Sequence, residues 1–304
     1  MLYAGWDGGG TKTEVCILDA SGARVAGSVF GPLNPNGTDR DRVMETVRQA
    51  VAWMAEQGGG LSAFGGLTVG MAGVSNREAA EWLMQALRRA GWTGPCRLAG
   101  DQEIALAGAI RGHGAVLIAG TGAVLCGRDP QGRMFRVGGY GYLIDDGGSG
   151  YAIGRDILAA VVRAEDGRDR PTGLTSLVME TLGAAEIREL ITWLYAPATG
   201  KKEVASLARL LAPALEQGDS AAERIAEKAA ADLAELALAG WRKTGIRDGE
   251  LALTGSILQH FDRIARLVTE KVQACYPEIR VVWPEQPPAV GAARLAMYSG
   301  KTEI

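Results

Sequence analysis

Histidine and cysteine are scarce in this chain of 304 residues, and their positions exclude the commonest metal sites. His113 and His260 are the only two histidines, so a histidine-rich metal centre is excluded. The four cysteines form no C-x-x-C pair, which favours reduced thiols over a disulfide framework or a zinc site. No apolar run approaches the ~18–20 residues that a membrane helix needs.

The chain also lacks a charge excess and a targeting signal. A net charge of −3 leaves no broad basic field, which argues against nucleic acid as the main partner. The N-terminal sequence MLYAGWDGGG has no basic leader followed by an apolar core. No signal peptide is therefore expected, and we expect a cytoplasmic protein.

Strands alternate with helices along the chain, which predicts an α/β architecture. The stretch Gly112–His113–Gly114 is the expected boundary between an N-terminal lobe, residues 1–113, and a C-terminal lobe, residues 114–304. Strands are predicted at residues 2–6, 13–18, 23–29, 66–72, 96–99, 250–254 and 279–283. Helices are predicted near residues 43–54, 102–110, 184–195, 203–216, 220–243 and 287–298, with one more after a Ser75/Glu78 capping box and another ending near Cys275.

The segment of residues 10–22 is echoed at residues 120–132. In each copy an apolar strand enters a Gly-Thr turn, a second strand leaves it, and an Asp-x-x-Gly turn follows. A threonine hydroxyl and bare backbone amides at such a turn form a small anion site. Two copies, one in each half, predict two lobes that bind a polyphosphate. The matching residues are Gly10, Thr11, Cys16, Asp19 and Gly22 in the first copy and Gly120, Thr121, Cys126, Asp129 and Gly132 in the second.

Residues 7–13 read DGGGTKT, and they have two interpretations. A tight hairpin alone could require glycine, but three consecutive glycines beside an acid and two threonines favour phosphate binding. The spacing of a Walker loop is absent. Lys12 is either a solvated charge or a phosphate contact, and Asp7 is placed to hold Mg²⁺ through water. The predicted nucleotide-binding residues of this turn are Gly9, Gly10, Thr11, Lys12 and Thr13.

Three further segments are candidates for binding the nucleotide. The second turn contributes Thr121, Gly122 and Ala123. Gly255 and Ser256 follow the strand at 250–254, and the glycine-containing segment 288–291 lies at the start of the last predicted helix. Both are candidate walls for a nucleoside.

Asp101 comes directly after the strand predicted at 96–99 and before a helix. It could be a helix N-cap, which contributes about 1 kcal/mol. Ligands of open α/β sheets gather at the carboxyl ends of strands, where a carboxylate can accept the proton of an attacking hydroxyl. Both roles are compatible, and we favour the general base.

The loop of residues 138–150 combines six glycines with two tyrosines and two aspartates. Aromatic faces and carboxylates are typical of a sugar pocket, and the alternative is a long flexible loop. Asn34 and Asn36 offer both donors and acceptors to a sugar. Their alternative role is to form turns beside Pro35.

These motifs resemble the N-acetylglucosamine kinase-like branch of the BadF/BadG/BcrA/BcrD ATPase family, within the superfamily of sugar kinases and actin. The resemblance covers nearly the whole chain, and its most specific part runs from the GTG turn to GGSGY. It rests on DGGGTKT (7–13), the GD of AGDQEIAL (99–106), LIAGTGAVL (117–125), GGYGYLIDDGGSGYAIG (138–154), LTGSI (253–257) and PAVGAARLA (288–296).

The resemblance implies a two-lobed actin-like ATPase fold, in which each lobe is a ribonuclease-H-like mixed sheet flanked by helices. It implies ATP as a cofactor and an amino-sugar substrate. Mg²⁺, argued from Asp7, is the second expected cofactor, and we expect a homodimer. The expected reaction is phosphorylation of N-acetylglucosamine at its 6-hydroxyl, with glucosamine, N-acetylmannosamine and muramic-type sugars as neighbours. The resemblance makes Asp101 the catalytic base and assigns the sugar to Asn34, Asp101, Gly139, Tyr140 and Asp146.

Two other functions remain open at this point. Some members of the broad family are ATPase activators that drive electrons into a dehydratase or reductase through an iron–sulfur cluster with cysteine ligands. No two cysteines are close in this sequence. A sugar sensor without catalysis is the other possibility, and Asp101 argues against it.

Overall fold

The structure is a computed structural model that describes residues 1–34, 39–71, 73–74, 76–284 and 286–299. The chain forms two compact units. The first unit combines Met1–Arg111 with Pro284–Ile304, and the second comprises Gly112–Trp283.

A five-stranded mixed sheet forms the centre of the first unit. Its strands are β1 (Leu2–Gly8), β2 (Thr13–Asp19), β3 (Arg24–Phe30), β4 (Phe64–Met71) and β5 (Cys96–Gly100), in the order β3-β2-β1-β4-β5. The first three strands form an antiparallel meander, and β4 and β5 run parallel to β1. Its first three helices are α1 (Arg40–Gly58), α2 (Arg77–Arg89) and α3 (Asp101–Ala109), and a short 3-10 turn covers Leu61–Ala63.

Alternating side chains of β1 and β2 bury one face of this sheet. Ala4 and Trp6 of β1 join Val15 and Ile17 of β2 in one buried cluster. Helices α1 and α2 complete that cluster with apolar residues spaced at helical intervals, because every third or fourth residue of a helix lies on the same side. Those helix residues are Val43, Val47, Ala50, Val51, Met54, Leu83, Ala86 and Leu87.

The second unit contains a sheet of the same design. Its strands are β6 (Gly114–Ala119), β7 (Ala123–Arg128), β8 (Met134–Gly138), β9 (Gly249–Thr254) and β10 (Ile279–Val282), in the order β10-β9-β6-β7-β8. Its helices are α4 (Gly150–Glu165), α5 (Leu174–Leu182), α6 (Ile187–Leu194), α7 (Lys201–Ser206), α8 (Leu211–Glu216), α9 (Ser220–Thr244), α10 (Ser256–His260) and α11 (Asp262–Cys275), with a 3-10 turn at Leu207–Leu210. Each sheet therefore has a meander of three strands beside two strands parallel to its first, as the predicted fold class requires.

The sequence echo corresponds to the same hairpin in both sheets. Asp19 and Asp129 each accept hydrogen bonds from backbone amides two and four residues later. The glycines of the two Asp-x-x-Gly turns, Gly22 and Gly132, have positive φ angles of 85° and 81°. The two hairpins differ in loop length. In the first copy Gly8 pairs with Thr13, so the loop between the paired residues has four residues. In the second copy Ala119 pairs with Ala123, and the loop has three residues.

The last helix, α12 (Pro288–Ser299), belongs to the first unit, although residues 284–304 were predicted to be part of the second lobe. It packs so closely on β1 that a Cβ atom at Gly5 would lie 2.0 Å from the backbone nitrogen of Ala293. It also packs on α3, where a Cβ atom at Gly291 would lie 2.0 Å from the carbonyl oxygen of Ile104. Glycine at positions 5 and 291 makes both close contacts possible. The sequence pattern around these glycines does not indicate on which sheet α12 packs.

The helix predictions need correction in two respects: two helices were missed, and one predicted helix is divided. Helices α4 and α5 were not predicted. In α4, Ile153, Ile157 and Val161 follow a helical spacing and are buried. The single helix predicted at 203–216 is divided into α7, a 3-10 turn and α8. Pro213 lies in that segment, and a proline has no amide hydrogen with which to continue a helical ladder.

The N-cap of α2 is Asn76, whose side chain accepts from the Ala79 amide, and the predicted cap residue Ser75 lies outside the described residues.

Neither a disulfide nor a membrane span is found in the part of the chain that the structure describes. No disulfide joins the four cysteines. Among the described helices, none combines the length and the apolar character that a bilayer crossing requires. Burial raises the pKa of the Cys96 thiol to about 12 and also raises the pKa of Cys16. Both thiols are therefore protonated near neutral pH.

Candidate functional site

The carboxyl ends of three parallel strands meet at one edge of the first sheet. Gly8 at the end of β1 pairs with Met71 at the end of β4, which in turn pairs with Gly100 at the end of β5. The turn after β1 and Asp101 after β5 therefore lie at the same edge. Ligands of open α/β sheets bind at such an edge.

The turn after β1 is closed by one backbone hydrogen bond, from the Gly9 amide to the Lys12 carbonyl at 2.9 Å. Gly10, Thr11 and Lys12 are exposed. The amides of Gly10 and Thr11 donate to none of the described residues. Two bare amides and a threonine hydroxyl are the groups predicted for a phosphate site.

The glycines of this segment are not required by unusual backbone angles. None of Gly8, Gly9 and Gly10 has a positive φ angle. A Cβ atom at Gly8 would lie 2.5 Å from Leu33 Cδ2, whereas one at Gly10 would meet no atom within 4 Å. Gly8 thus leaves room for the buried side chain of Leu33, and Gly10 leaves the outer side of the turn open to a ligand.

Thr13 has a different partner from the phosphate that was predicted. Its side chain is fully buried, and its hydroxyl donates to the Gly31 carbonyl at 2.7 Å. The single hydroxyl proton is thus used inside the unit. Thr13 anchors the segment after β3, and this segment continues to Asn34.

Asn34 lies at the same edge of the first sheet. The amides of Leu33 and Asn34 both donate to the Gly9 carbonyl, at 3.0 and 3.4 Å. These bonds hold the half-buried Asn34 beside the first turn. Asn36, the other predicted asparagine, lies outside the described residues.

Asp101 is the first residue of α3, and the N-cap is Gly100. The alternative that Asp101 caps the helix is therefore wrong. Its exposed carboxylate accepts only from the adjacent Gln102 amide at 3.0 Å, among hydrogen bonds with described residues. A carboxylate with spare acceptor capacity at a strand end can accept a proton from a bound hydroxyl.

Asp7 has a carboxyl group whose pKa is raised. Burial is the main cause, the charges of Glu14 and Asp101 add to it, and Lys12 opposes it. The ionised carboxylate is therefore less favourable here than in water, and a cation beside it would offset that cost. The described residues contain no group of three or more metal-ligating side chains. Mg²⁺ needs only one or two carboxylates when phosphates and water complete its shell, so Asp7 fits that role.

The second turn resembles the first in its bare amides. Gly120 donates to the Gly122 carbonyl at 2.9 Å, and the amides of Thr121 and Gly122 donate to none of the described residues. The start of α4 supports the turn from behind, because the Gly150 amide donates to the Gly120 carbonyl at 2.7 Å. Ala123 begins β7 and is buried.

Gly255 and Ser256 lie beside the second turn. A Cβ atom at Gly255 would lie 2.4 Å from the Ala119 carbonyl oxygen, and the residue has a φ angle of 93°. Glycine is thus required here for both reasons. The exposed Ser256 has its hydroxyl oxygen 3.9 Å from the Cβ position of Gly120. The structure therefore brings together the predicted second turn and the predicted adenosine residues.

The glycine-rich loop carries Tyr140 on its outside, with 73% of the side chain exposed. Arg136 holds this end of the loop: its guanidinium donates to the carbonyls of Gly138 and Gly139 and lies 5.6 Å from the Tyr140 ring centre. Gly138 and Gly139 have φ angles of 71° and 75°, which favour glycine. Sequence reasoning missed Arg136, because a single arginine in a strand gives no signal of its own.

Asp146 is the one described non-glycine residue with a positive φ angle, at 61°. Its carboxylate is buried, with 4% exposed, and Oδ2 accepts from Lys201 Nζ at 3.0 Å. Oδ1 accepts no hydrogen bond from the described residues. Lys201 was missed, since 55 residues separate it from Asp146 in the sequence.

A substitution at Gly10 separates folding from ligand binding. Gly10→Ala is expected to leave the melting temperature unchanged, because the added methyl group meets nothing within 4 Å. If a phosphate lies on the Gly10 amide, the methyl crowds it, and the KM for ATP should rise about tenfold, as for one lost charge-assisted hydrogen bond. Steady-state kinetics and thermal denaturation measure the two effects. Gly112→Ala, equally open, is the matched control, and an unchanged KM for Gly10→Ala would remove this turn from the phosphate site.

Comparison with known proteins gives both a family and a fold. The profile of the BadF/BadG/BcrA/BcrD ATPase family matches residues 4–296. An N-acetylmuramic acid/N-acetylglucosamine kinase of Clostridium acetobutylicum is 30% identical over 302 residues, covering 97% of this chain and 98% of that protein. An N-acetyl-D-glucosamine kinase of Dictyostelium discoideum is 28% identical over 318 residues, covering 99% of each.

A solved structure has a similar fold. It is a protein of Chromobacterium violaceum proposed to be an N-acetylglucosamine kinase, with a TM-score of 0.70 and 24% identity. The match covers 97% of this chain and 98% of that one.

Proposed function

Since the chain belongs to the BadF/BadG/BcrA/BcrD ATPase family, we propose that it transfers a phosphoryl group from ATP to an amino sugar, with N-acetylglucosamine phosphorylated at its 6-hydroxyl. The two full-length relatives named as kinases of N-acetylglucosamine support this substrate class. Glucosamine, N-acetylmannosamine and muramic-type sugars complete the proposed range. The observation that carries the proposal is the position of Asp101 at the same sheet edge as the first glycine turn.

Asp101 is the proposed general base. Its carboxylate orients the sugar hydroxyl and accepts its proton while the hydroxyl oxygen attacks the γ-phosphorus and ADP leaves. The low number of hydrogen bonds that the carboxylate makes to described residues supports this role. Asp101 is also the first residue of α3, so its backbone is held in place by the helix.

The two turns are the proposed phosphate-binding groups, one in each unit. Backbone amides at Gly10 and Thr11 and at Thr121 and Gly122 would donate to phosphate oxygens, which stabilises the charge of the transferring group. The exposed ammonium of Lys12 would add charge at the first turn. Gly255 and Ser256 are proposed to bind the nucleoside.

Asp7 is the proposed ligand of Mg²⁺, through water. When bound, the ion would neutralise charge on the phosphates. Burial makes the charged carboxylate of Asp7 unfavourable by itself, and a bound cation would offset that cost.

Four residues besides Asp101 are proposed to bind the sugar. Asn34 would bind through its side-chain amide and Asp146 through Oδ1. Gly139 and Tyr140 would contribute backbone and side-chain groups of the loop that Arg136 holds. The pairing of Asp146 Oδ2 with Lys201 supports this division, because it leaves the other carboxylate oxygen for a sugar hydroxyl. A homodimer and a cytoplasmic location complete the proposal.

The rival function as an electron-driving ATPase activator receives less support from the cysteines. Cys16 and Cys126 are buried, Cys96 is half-buried with a raised pKa, and Cys275 is exposed. An interface cluster needs accessible thiolates as ligands.

A substrate panel tests the proposed function. With ATP and Mg²⁺, the purified protein is expected to release ADP only when an amino sugar is present, and N-acetylglucosamine or glucosamine should be among the best acceptors. A coupled assay for ADP with hexoses and amino sugars measures this. If no sugar changes the rate of ATP turnover but an electron-accepting partner protein raises it, the kinase proposal is wrong and the activator function is favoured.

A further inference from the structure

Lys201 lies over the second glycine turn, although it is distant in sequence from every predicted site residue. Its ammonium is 3.0 Å from Asp146 Oδ2 and 5.4 Å from the centre of the Tyr142 ring. The Tyr142 ring in turn packs edge-on against Tyr151 at 4.6 Å. A carboxylate and an aromatic face thus fix the end of a long, otherwise mobile side chain.

The ammonium is directed at Gly122. A Cβ atom at Gly122 would lie 2.7 Å from Asp146 Oδ2 and 3.1 Å from Lys201 Nζ. The ion pair therefore occupies the space that a side chain at this position would take. Glycine at position 122 permits the ammonium to approach the turn whose amides are bare.

The burial of the pair is unequal. Asp146 has 4% of its side chain exposed, whereas Lys201 has 31%. The ammonium has three donors, and among described residues it makes one hydrogen bond, to Asp146. Its remaining donors are available to an acceptor from solvent, and the adjacent bare amides of Thr121 and Gly122 would attract the same kind of ligand, an anion.

We infer that Lys201 binds a phosphate oxygen of the nucleotide at the second turn, with Asp146 and Tyr142 as positioning residues. This inference rests on the proposed function, which brings the nucleotide to that turn. Asp146 then connects two ligands, because Oδ2 positions the phosphate-binding lysine and Oδ1 is assigned to the sugar. A purely structural ion pair would require neither the exposed ammonium nor its approach to Gly122.

Nucleotide titrations of Lys201→Met test the inference. Calorimetry with ADP and with a non-hydrolysable ATP analogue should show at least about tenfold weaker binding, as expected for one lost charge-assisted hydrogen bond. Adenosine, which has no phosphate, should bind as tightly as it does to the unchanged protein. Lys228→Met is the matched control, because Lys228 forms another lysine–aspartate pair of the same unit, with Asp156, and should change none of these affinities.

A charge-conserving variant separates binding from folding. Lys201→Arg is expected to keep ADP affinity within about threefold, since a guanidinium also binds phosphate. Equal losses for Lys201→Met and Lys201→Arg, unchanged ADP affinity in Lys201→Met, or a loss of adenosine binding as large as that of ADP would each overturn the inference. Absence of nucleotide binding by the unchanged protein would instead overturn the proposed function.

Discussion

Replacing Asp101 with asparagine is expected to lower kcat by ~10²–10⁴-fold, the usual contribution of a general base. Asparagine keeps the volume and one acceptor oxygen for the Gln102 amide, so α3 should still begin at this residue. Sugar and nucleotide affinities should change little, because the lost function is proton acceptance during attack. Rapid-quench kinetics, in which the chemical step is observed directly, provide the measurement.

Asp262→Asn is the matched control for this substitution. Asp262 is also an exposed aspartate at the first position of a helix, α11, and has no proposed role in the reaction. Its kcat should be unchanged. If Asp101→Asn kept more than about a tenth of the original kcat while chemistry limited the rate, Asp101 would not be the base.

Gly291→Ala is expected to reduce the free energy of unfolding by about 1–3 kcal/mol or more, because the methyl group overpacks a backbone contact. Its Cβ atom would lie 2.0 Å from the Ile104 carbonyl oxygen and 2.4 Å from the Gly108 nitrogen. Backbone atoms cannot move aside as a side chain can, so α12 must shift away from α3. Because α3 begins with Asp101, kcat should fall as well.

Urea denaturation followed by circular dichroism measures this loss. Gly112→Ala provides the comparison, since nothing lies within 4 Å of its added methyl group, and its unfolding free energy should change by less than about 0.5 kcal/mol. An unaltered unfolding free energy for Gly291→Ala would contradict the close packing of α12 on α3.

The sequence predicted the features that depend on short segments. The strands and turns of the two hairpins follow from local alternation and from the Asp-x-x-Gly pattern, and the echo of residues 10–22 at 120–132 corresponds to equivalent strands. Asp101 was also placed correctly after its strand, because a strand followed by a helix is readable from periodicity. Its position relative to the cap was wrong by one residue, which is the usual precision of helix boundaries.

Long-range packing accounts for what the sequence could not predict. Lys201 reaches Asp146 only because α7 packs near the glycine-rich loop, and no local pattern encodes that approach. The place of α12 on the first sheet depends on close contacts at Gly5 and Gly291 that a glycine in the sequence does not specify. Thr11 and Thr13 are equivalent candidates for phosphate binding in the sequence. Only the folded structure distinguishes them, because Thr13 is buried and Thr11 is exposed.

The most direct test of the proposed kinase is the fate of the transferred phosphoryl group. Phosphorus NMR of the purified protein with ATP, Mg²⁺ and N-acetylglucosamine or glucosamine follows ADP, inorganic phosphate and sugar phosphate in one sample. We expect one sugar 6-phosphate for each ADP formed, and inorganic phosphate should form no faster than it does without the enzyme. Formation of ADP and inorganic phosphate at the same rate with and without every amino sugar would contradict the proposed function.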